Sequence, residues 1–118
     1  MTMEALFNNV ENAISQYEQA CEREEALYEM MRDAENDMNR YSSQASSSEE
    51  ASDQRAALEQ MTAAALRYQQ YQNQLQQVQA AKAQALRYLQ VTRSELTNVI
   101  KSIEEKLPKF DQSISTFE

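Results

Sequence analysis

The side chains that could carry chemistry in this sequence are mostly carboxylates, and one run of them, with asparagines between, lies at residues 33–39. Its alternating acids and amides have the composition of a calcium-binding loop. Such a loop needs a glycine at its sixth position for a sharp turn and a bidentate glutamate at its twelfth. This sequence has Met38 and Gln44 at those two positions. We therefore predict that the acidic run does not bind calcium.

The other reactive groups do not form a recognisable active site either. The chain has no histidine and no glycine, which excludes a Ser-His-Asp triad, a Cys-His pair and a glycine-rich phosphate loop. The single cysteine, Cys21, cannot form an internal disulfide and is predicted to be a small buried hydrophobic residue on a helix. The carboxylates lie on outward helical faces, with no pocket implied. We expect a protein that is not an enzyme and uses no cofactor, metal or small-molecule substrate.

The elements that position these groups are predicted to be long helices. The 118 residues include no glycine and one proline, Pro108, whereas average usage is roughly 7% Gly and 5% Pro. Tight turns depend on these residues, and the abundant Ala, Gln, Glu and Leu are good helix formers. The composition predicts a single all-α domain over residues 1–118. Its expected fold is an antiparallel helical hairpin or coiled coil of two long helices with a short C-terminal helical extension.

The charges are distributed unevenly along the chain, which has a net charge of −8. Residues 1–60 contain 14 acidic and 4 basic side chains, and residues 61–118 contain 5 acidic and 7 basic ones. The two halves should attract each other if they pack side by side. The acidic total disfavours nucleic acid as a partner, because binding to phosphates requires a basic face.

The first helix is predicted over about residues 3–41, following Thr2 as its N-cap. A seven-residue repeat of apolar side chains runs along it, which is the pattern of a coiled-coil seam. Glu24 is the one charged residue among these otherwise mostly apolar seam positions. The first seam position holds Met3, Val10, Tyr17, Glu24, Met31 and Met38; the second holds Leu6, Ala13, Ala20, Leu27, Ala34 and Tyr41; and Phe7, Ile14, Cys21 and Tyr28 widen the stripe.

A serine-rich stretch is predicted to form the turn at about residues 42–47, because serine hydroxyls compete for backbone hydrogen bonds. Ser46 with Glu49, or Ser47 with Glu50, matches a capping box that would open the second helix. That helix is expected over about residues 48–107, with Pro108 starting a separate extension over 108–118. The predicted seam of the second helix is Leu58, Met61, Ala65, Tyr68, Leu75, Val78, Lys82, Leu86, Leu89, Leu96, Ile100, Ile103 and Leu107.

The two predicted helices differ in length, so the first cannot cover the second. Folding about residue 44 would place residues 22–25 beside Arg67 and Glu4 near Lys82, and would cover the second helix only to about residue 86. The apolar side chains beyond that point form the predicted partner or oligomer interface, a surface that we call the predicted interface. Its members are Leu86, Leu89, Leu96, Ile100, Ile103, Leu107, Phe110, Ile114 and Phe117.

Three arrangements would bury the predicted interface. Two copies of the chain could pack antiparallel around residues 86–117, or the segment could dock on another helical protein. Alternatively, the second helix could bend in its glutamine-rich middle, residues 69–84, and fold back as a three-helix bundle. Of the three, we expect the antiparallel pair of copies first, docking on another protein second and the three-helix bundle third.

The function expected from these features is non-enzymatic protein–protein interaction or scaffolding, with assembly through the predicted interface as a dimer or with another helical protein. The alternatives are a small acidic chaperone or accessory protein of a bacterial secretion system, or an acidic inhibitor of a partner protein. The N-terminal residues lack the basic start and apolar run of a signal peptide, and no segment approaches the ~18 apolar residues of a membrane span. We expect a cytoplasmic location, with signal-independent export left open.

Overall fold

The computed structural model describes residues 2–117 and consists of two helices. Helix α1 spans Met3–Ser47 and contains 45 residues, and helix α2 spans Ala51–Phe117 and contains 67 residues. No strand occurs between residues 2 and 117. The prediction of an all-α helical hairpin is therefore confirmed. Over the same residues, neither helix has a segment that is long and apolar enough to cross a membrane.

Thr2 caps the start of α1, as the sequence predicts. Its hydroxyl oxygen accepts a hydrogen bond from the backbone N–H of Ala5 at 3.1 Å, and its carbonyl accepts one from Leu6 at 3.1 Å. The first bond satisfies an amide that has no backbone partner within the helix, and the second is the first backbone hydrogen bond of the helix itself. Glu4 lies in the first turn, where its negative charge interacts favourably with the helix dipole.

The turn lies later in the chain than predicted, because the serines continue α1 instead of breaking it. The hydroxyls of Ser46, Ser47 and Ser48 donate to the carbonyls four residues earlier, at 3.1, 2.9 and 2.7 Å. These bonds keep the hydroxyls inside the helical pattern, so neither predicted capping box forms across the turn. Helix α1 ends at Ser47, and the side chain of Gln54 donates to the Ser48 carbonyl at 2.7 Å.

Helix α2 is continuous at both places where the sequence suggests an interruption. It passes through the glutamine-rich residues 69–84 without a break, so the fold-back into a three-helix bundle is not observed. It also contains Pro108 in its interior, so the predicted separate extension over 108–118 is instead the end of α2 as far as Phe117. Proline removes one backbone donor, but the hydrogen bonds of neighbouring turns persist.

Backbone contacts divide the chain into two compact units, and each contains parts of both helices. One unit is Gln19–Lys82, and the other joins the residues up to Glu18 with those from Ala83 onward. In the second unit, a groove of about 280 Å³ is lined by Met3 and Leu6 of α1 together with Val99 of α2. The start of α1 therefore packs beside the region around Val99.

Two ion pairs fix the register of the helices within Gln19–Lys82. Arg67 donates to Asp37 at 3.0 Å, and Lys82 donates to Glu24 at 3.1 Å. The predicted partners of Arg67 and Lys82 were residues 22–25 and Glu4, so both assignments were wrong. The turn lies at residues 48–50, later than predicted, and each position of α1 pairs with a later position of α2 than a fold about residue 44 would give.

The Glu24–Lys82 pair explains the one lapse in the α1 seam. The side chains retain 18% and 32% of their exposure, so the two charges lie partly inside the contact between the helices. A partly buried charge is costly when its partner is removed, and a polar pair in a seam specifies register.

We predict that Lys82→Glu lowers the free energy of unfolding by about 1–3 kcal/mol, because it sets two partly buried carboxylates against each other. Adding Glu24→Lys should restore most of the loss by rebuilding the pair in reverse. Urea denaturation of the single and double variants measures both effects. If the double variant is as unstable as Lys82→Glu alone, the pair does not determine the register.

The α1 seam agrees closely with the seven-residue repeat. Leu6, Ala13, Ala20, Leu27 and Ala34 are all buried, and the other seam position is half-buried from Val10 to Met38. Cys21 is half-buried at the edge of the seam, so the prediction of full burial was wrong. The heptad pattern therefore identifies the contact face of α1 correctly.

The α2 seam differs from the prediction by one residue at several positions. Leu58, Ala65 and Leu86 are exposed, whereas the preceding alanines at each place are buried. Small side chains at the contact let two helix axes approach closely, and the larger neighbours then lie along the flank. At two of the three places the predicted seam residue was the larger leucine, Leu58 or Leu86, because size within the heptad pattern favours it. The buried α2 positions are Ala57, Ala64, Ala85 and Thr92.

Candidate interaction surface

The carboxylates and the thiol do not converge on a common site in the described part of the chain. Between residues 2 and 117, no group of three or more His, Cys, Asp or Glu side chains is arranged to hold a metal ion. Asp37, from the acidic run at 33–39, is bonded instead to Arg67 and lies 3.4 Å from Arg40. These acids therefore act in the packing of the hairpin and on its surface.

The predicted interface divides into two parts in the structure. Leu89 and Leu96 are half-buried in the same unit as the start of α1, and Thr92 between them is buried at 3% exposure. Helix α1 thus covers α2 well past Leu86, because the late turn shifts the register. The prediction that the uncovered region begins near residue 86 was wrong.

From Ile100 to Phe117 every residue of α2 is exposed. Six apolar side chains in this segment recur at alternating spacings of three and four residues, the a and d positions of a heptad. Phe110 and Phe117 are the most exposed of them, at 66% and 93%. We call these six residues the exposed stripe. Its a positions are Ile100, Leu107 and Ile114, and its d positions are Ile103, Phe110 and Phe117.

The exposed stripe keeps one row of the intramolecular seam, because Ile103, Phe110 and Phe117 continue the seven-residue row of Leu89 and Leu96, but it replaces the other row. The row that contains Thr92 and Val99 continues with Lys106 and Ser113, which are polar. The apolar row instead moves one residue along the chain and begins at Ile100. Because successive residues are about 100° apart around a helix, the apolar face turns to one side of the hairpin contact. The apolar face at the end of α2 is therefore turned partly away from the side that faces α1.

Four side chains of this segment form a shallow hole on the helix surface. Ile103, Lys106, Leu107 and Phe110 surround about 230 Å³. They occupy successive d, g, a and d positions, which is the set that receives one side chain of a neighbouring helix in knobs-into-holes packing. The aliphatic stem of Lys106 contributes to the wall, and its ammonium group can remain in water. The surface can therefore accept an apolar side chain from a facing helix.

Charged residues flank the exposed stripe asymmetrically. Glu104 and Asp111 occupy e positions on one side, and Lys106 occupies a g position on the other. Side chains at e and g decide which partner and which orientation a coiled coil accepts. The flanks therefore carry information about orientation in addition to the apolar contact.

Exposed apolar side chains of the hairpin lie on the same side as the start of the stripe. Phe7 follows the buried Leu6, and Ile100 follows Val99, which lines the same groove as Leu6. In an antiparallel pair of helices, the residue that follows a contact residue points to the same side of the pair on both helices. Phe7 and Ile14 are 52% and 44% exposed, so this side presents an apolar face. Both residues were predicted as part of the α1 stripe and not of the predicted interface, and their flanking heptad position is the signal that identifies them.

Comparisons with known proteins identify no relative of this chain. The chain matches no protein family, and no curated protein or solved structure shows significant similarity to it.

Proposed function

We propose that this protein is a non-enzymatic interaction protein that assembles through the exposed stripe of α2. The observation that carries the proposal is the regular a/d pattern from Ile100 to Phe117, in a segment where every side chain is exposed. Contiguous apolar surface of this kind on a monomer is typical of an interaction site. The contact of α1 with the preceding part of α2 supports this helix end and presents it to its partner.

The free energy available from covering the stripe is large enough to drive association. Full burial of a large apolar side chain contributes about 1.5–3 kcal/mol relative to exposure. Six such side chains therefore offer on the order of 10 kcal/mol, even though neighbouring atoms of α2 already cover part of each. Association costs of roughly 4–15 kcal/mol oppose this gain. When the partner buries an apolar face of similar size, the gain is about twice as large and exceeds this cost, so a reversible complex is the expected result.

Amide hydrogen exchange at low and high protein concentration tests the proposal. We expect amides of residues 104–117 to exchange more slowly at high concentration, because association suppresses fraying of the helix end. Amides near Ala64, deep in the hairpin contact, serve as the internal control and should not change. Equal exchange of residues 104–117 at both concentrations, in a chain that sediments as a monomer, would contradict assembly through this surface.

A further inference from the structure

We propose that the occupant of the exposed stripe is a second copy of this chain, bound parallel and in register, so that the two α2 ends form a two-stranded coiled coil. The proposal rests on the proposed function and adds the identity of the partner and its orientation. The hole around Leu107 supports a facing copy, and the charges beside the stripe determine its orientation.

The hole formed by Ile103, Lys106, Leu107 and Phe110 can receive a side chain from a second copy in either orientation, since a d-position side chain of an antiparallel copy would enter it as well. In a parallel in-register pair, an a-position side chain enters the d-g-a-d hole of the same layer on the facing helix. Leu107 of the second copy would therefore fill this hole, and the reciprocal contact follows from two-fold symmetry. Ile100 and Ile114 repeat the same type of layer one heptad away on either side.

The flanking charges favour the parallel orientation. In a parallel coiled coil, a g residue faces the e residue five positions later on the other helix, so Lys106 faces Asp111 of the second copy. Symmetry generates this pair twice. Oppositely charged pairs at these positions help to set the orientation of a coiled coil.

The same charges disfavour the antiparallel arrangement that the sequence suggested. In an antiparallel pair that keeps the stripe in contact, each e position faces an e position of the other helix, and each g position faces a g position. Glu104 would then lie beside Asp111 of the second copy, again twice, and like charges at this distance repel. Lys106 would face Ser113 and gain no ionic partner. The two orientations therefore predict opposite responses to charge reversal.

Cysteine cross-linking tests the alignment directly. In a Cys21→Ser background, Ile114→Cys should form a disulfide-linked dimer rapidly, because equivalent a positions are adjacent in a parallel pair. In the antiparallel pair the two substituted positions would be roughly 16 Å apart along the axis, and a disulfide needs Cα atoms within about 7 Å. Gln112→Cys, on the outward face of the same turn, is the control and should cross-link slowly.

Charge reversal tests the orientation without altering the apolar contact. We expect Lys106→Glu and Asp111→Lys each to raise the dimer dissociation constant about three- to tenfold, the range for two exposed charge pairs per dimer. The double variant should return close to the wild-type value. Sedimentation equilibrium at low salt measures all four proteins, and high salt should reduce the differences.

Two results would overturn the proposal in distinguishable ways. Tighter association of Asp111→Lys alone, with no effect of Lys106→Glu and no cross-link at residue 114, identifies an antiparallel pair; it refutes the parallel dimer but leaves assembly through the stripe intact. A wild-type chain that remains monomeric at all concentrations, with no protection of residues 104–117, refutes both this inference and the proposed function.

Discussion

Ile103→Asp should convert the assembled protein to a monomer while leaving the hairpin folded. The substitution removes one apolar side chain from each copy and places a carboxylate in the contact, so both copies lose about 1.5–3 kcal/mol of burial and gain an unpaired charge. The dissociation constant should rise by roughly 100-fold or more. Sedimentation equilibrium measures the dissociation constant, and circular dichroism measures the helix content, which should be nearly unchanged.

Ser102→Asp provides the matched control, because it introduces the same charge on the adjacent outward position of α2. It should leave the dissociation constant within about twofold of wild type. A second comparison is Leu6→Asp, at a side chain that is 2% exposed within the hairpin. That variant should lose stability and helix content first. If Ile103→Asp and Ser102→Asp associate equally well, the exposed stripe is not the contact surface.

Ala64→Leu should destabilise the hairpin by about 1–3 kcal/mol, although leucine is the larger hydrophobic residue and an equally good helix former. Ala64 has 0% exposure and lies at the contact between the helices, where no space exists for additional carbon atoms. The helices would have to separate or adopt strained rotamers to accommodate the leucine. Urea denaturation followed by circular dichroism measures the change in unfolding free energy.

Ala63→Leu is the control for this prediction, because Ala63 is exposed on the neighbouring position of the same turn. Its unfolding free energy should stay within about 0.5 kcal/mol of wild type. A stabilising effect of Ala64→Leu would show that the contact between the helices has space for a larger side chain. Close approach of the helices would then not account for the buried alanines.

Local sequence signals determined the helical class and the contact face of α1. Absence of glycine leaves few ways to build tight turns, and an apolar residue at every seventh position defines a face whatever the partner. These signals act through backbone propensity and helical periodicity, which belong to each segment separately. The same reasoning predicted the apolar character of the end of α2, from Ile100 to Phe117, because the a/d spacing there is regular.

Only the tertiary structure decided the register, and with it the extent of the uncovered surface. Three serine hydroxyls bond to carbonyls inside α1, which extends that helix to Ser47 and moves the turn. A displacement at the turn changes the partner of every later position, and in the structure Lys82 meets Glu24 and the uncovered region begins near Ile100. The choice of alanine over its larger neighbour in α2 likewise depends on how closely the two helices approach. Such choices follow from contacts between segments, which periodicity within one segment does not specify.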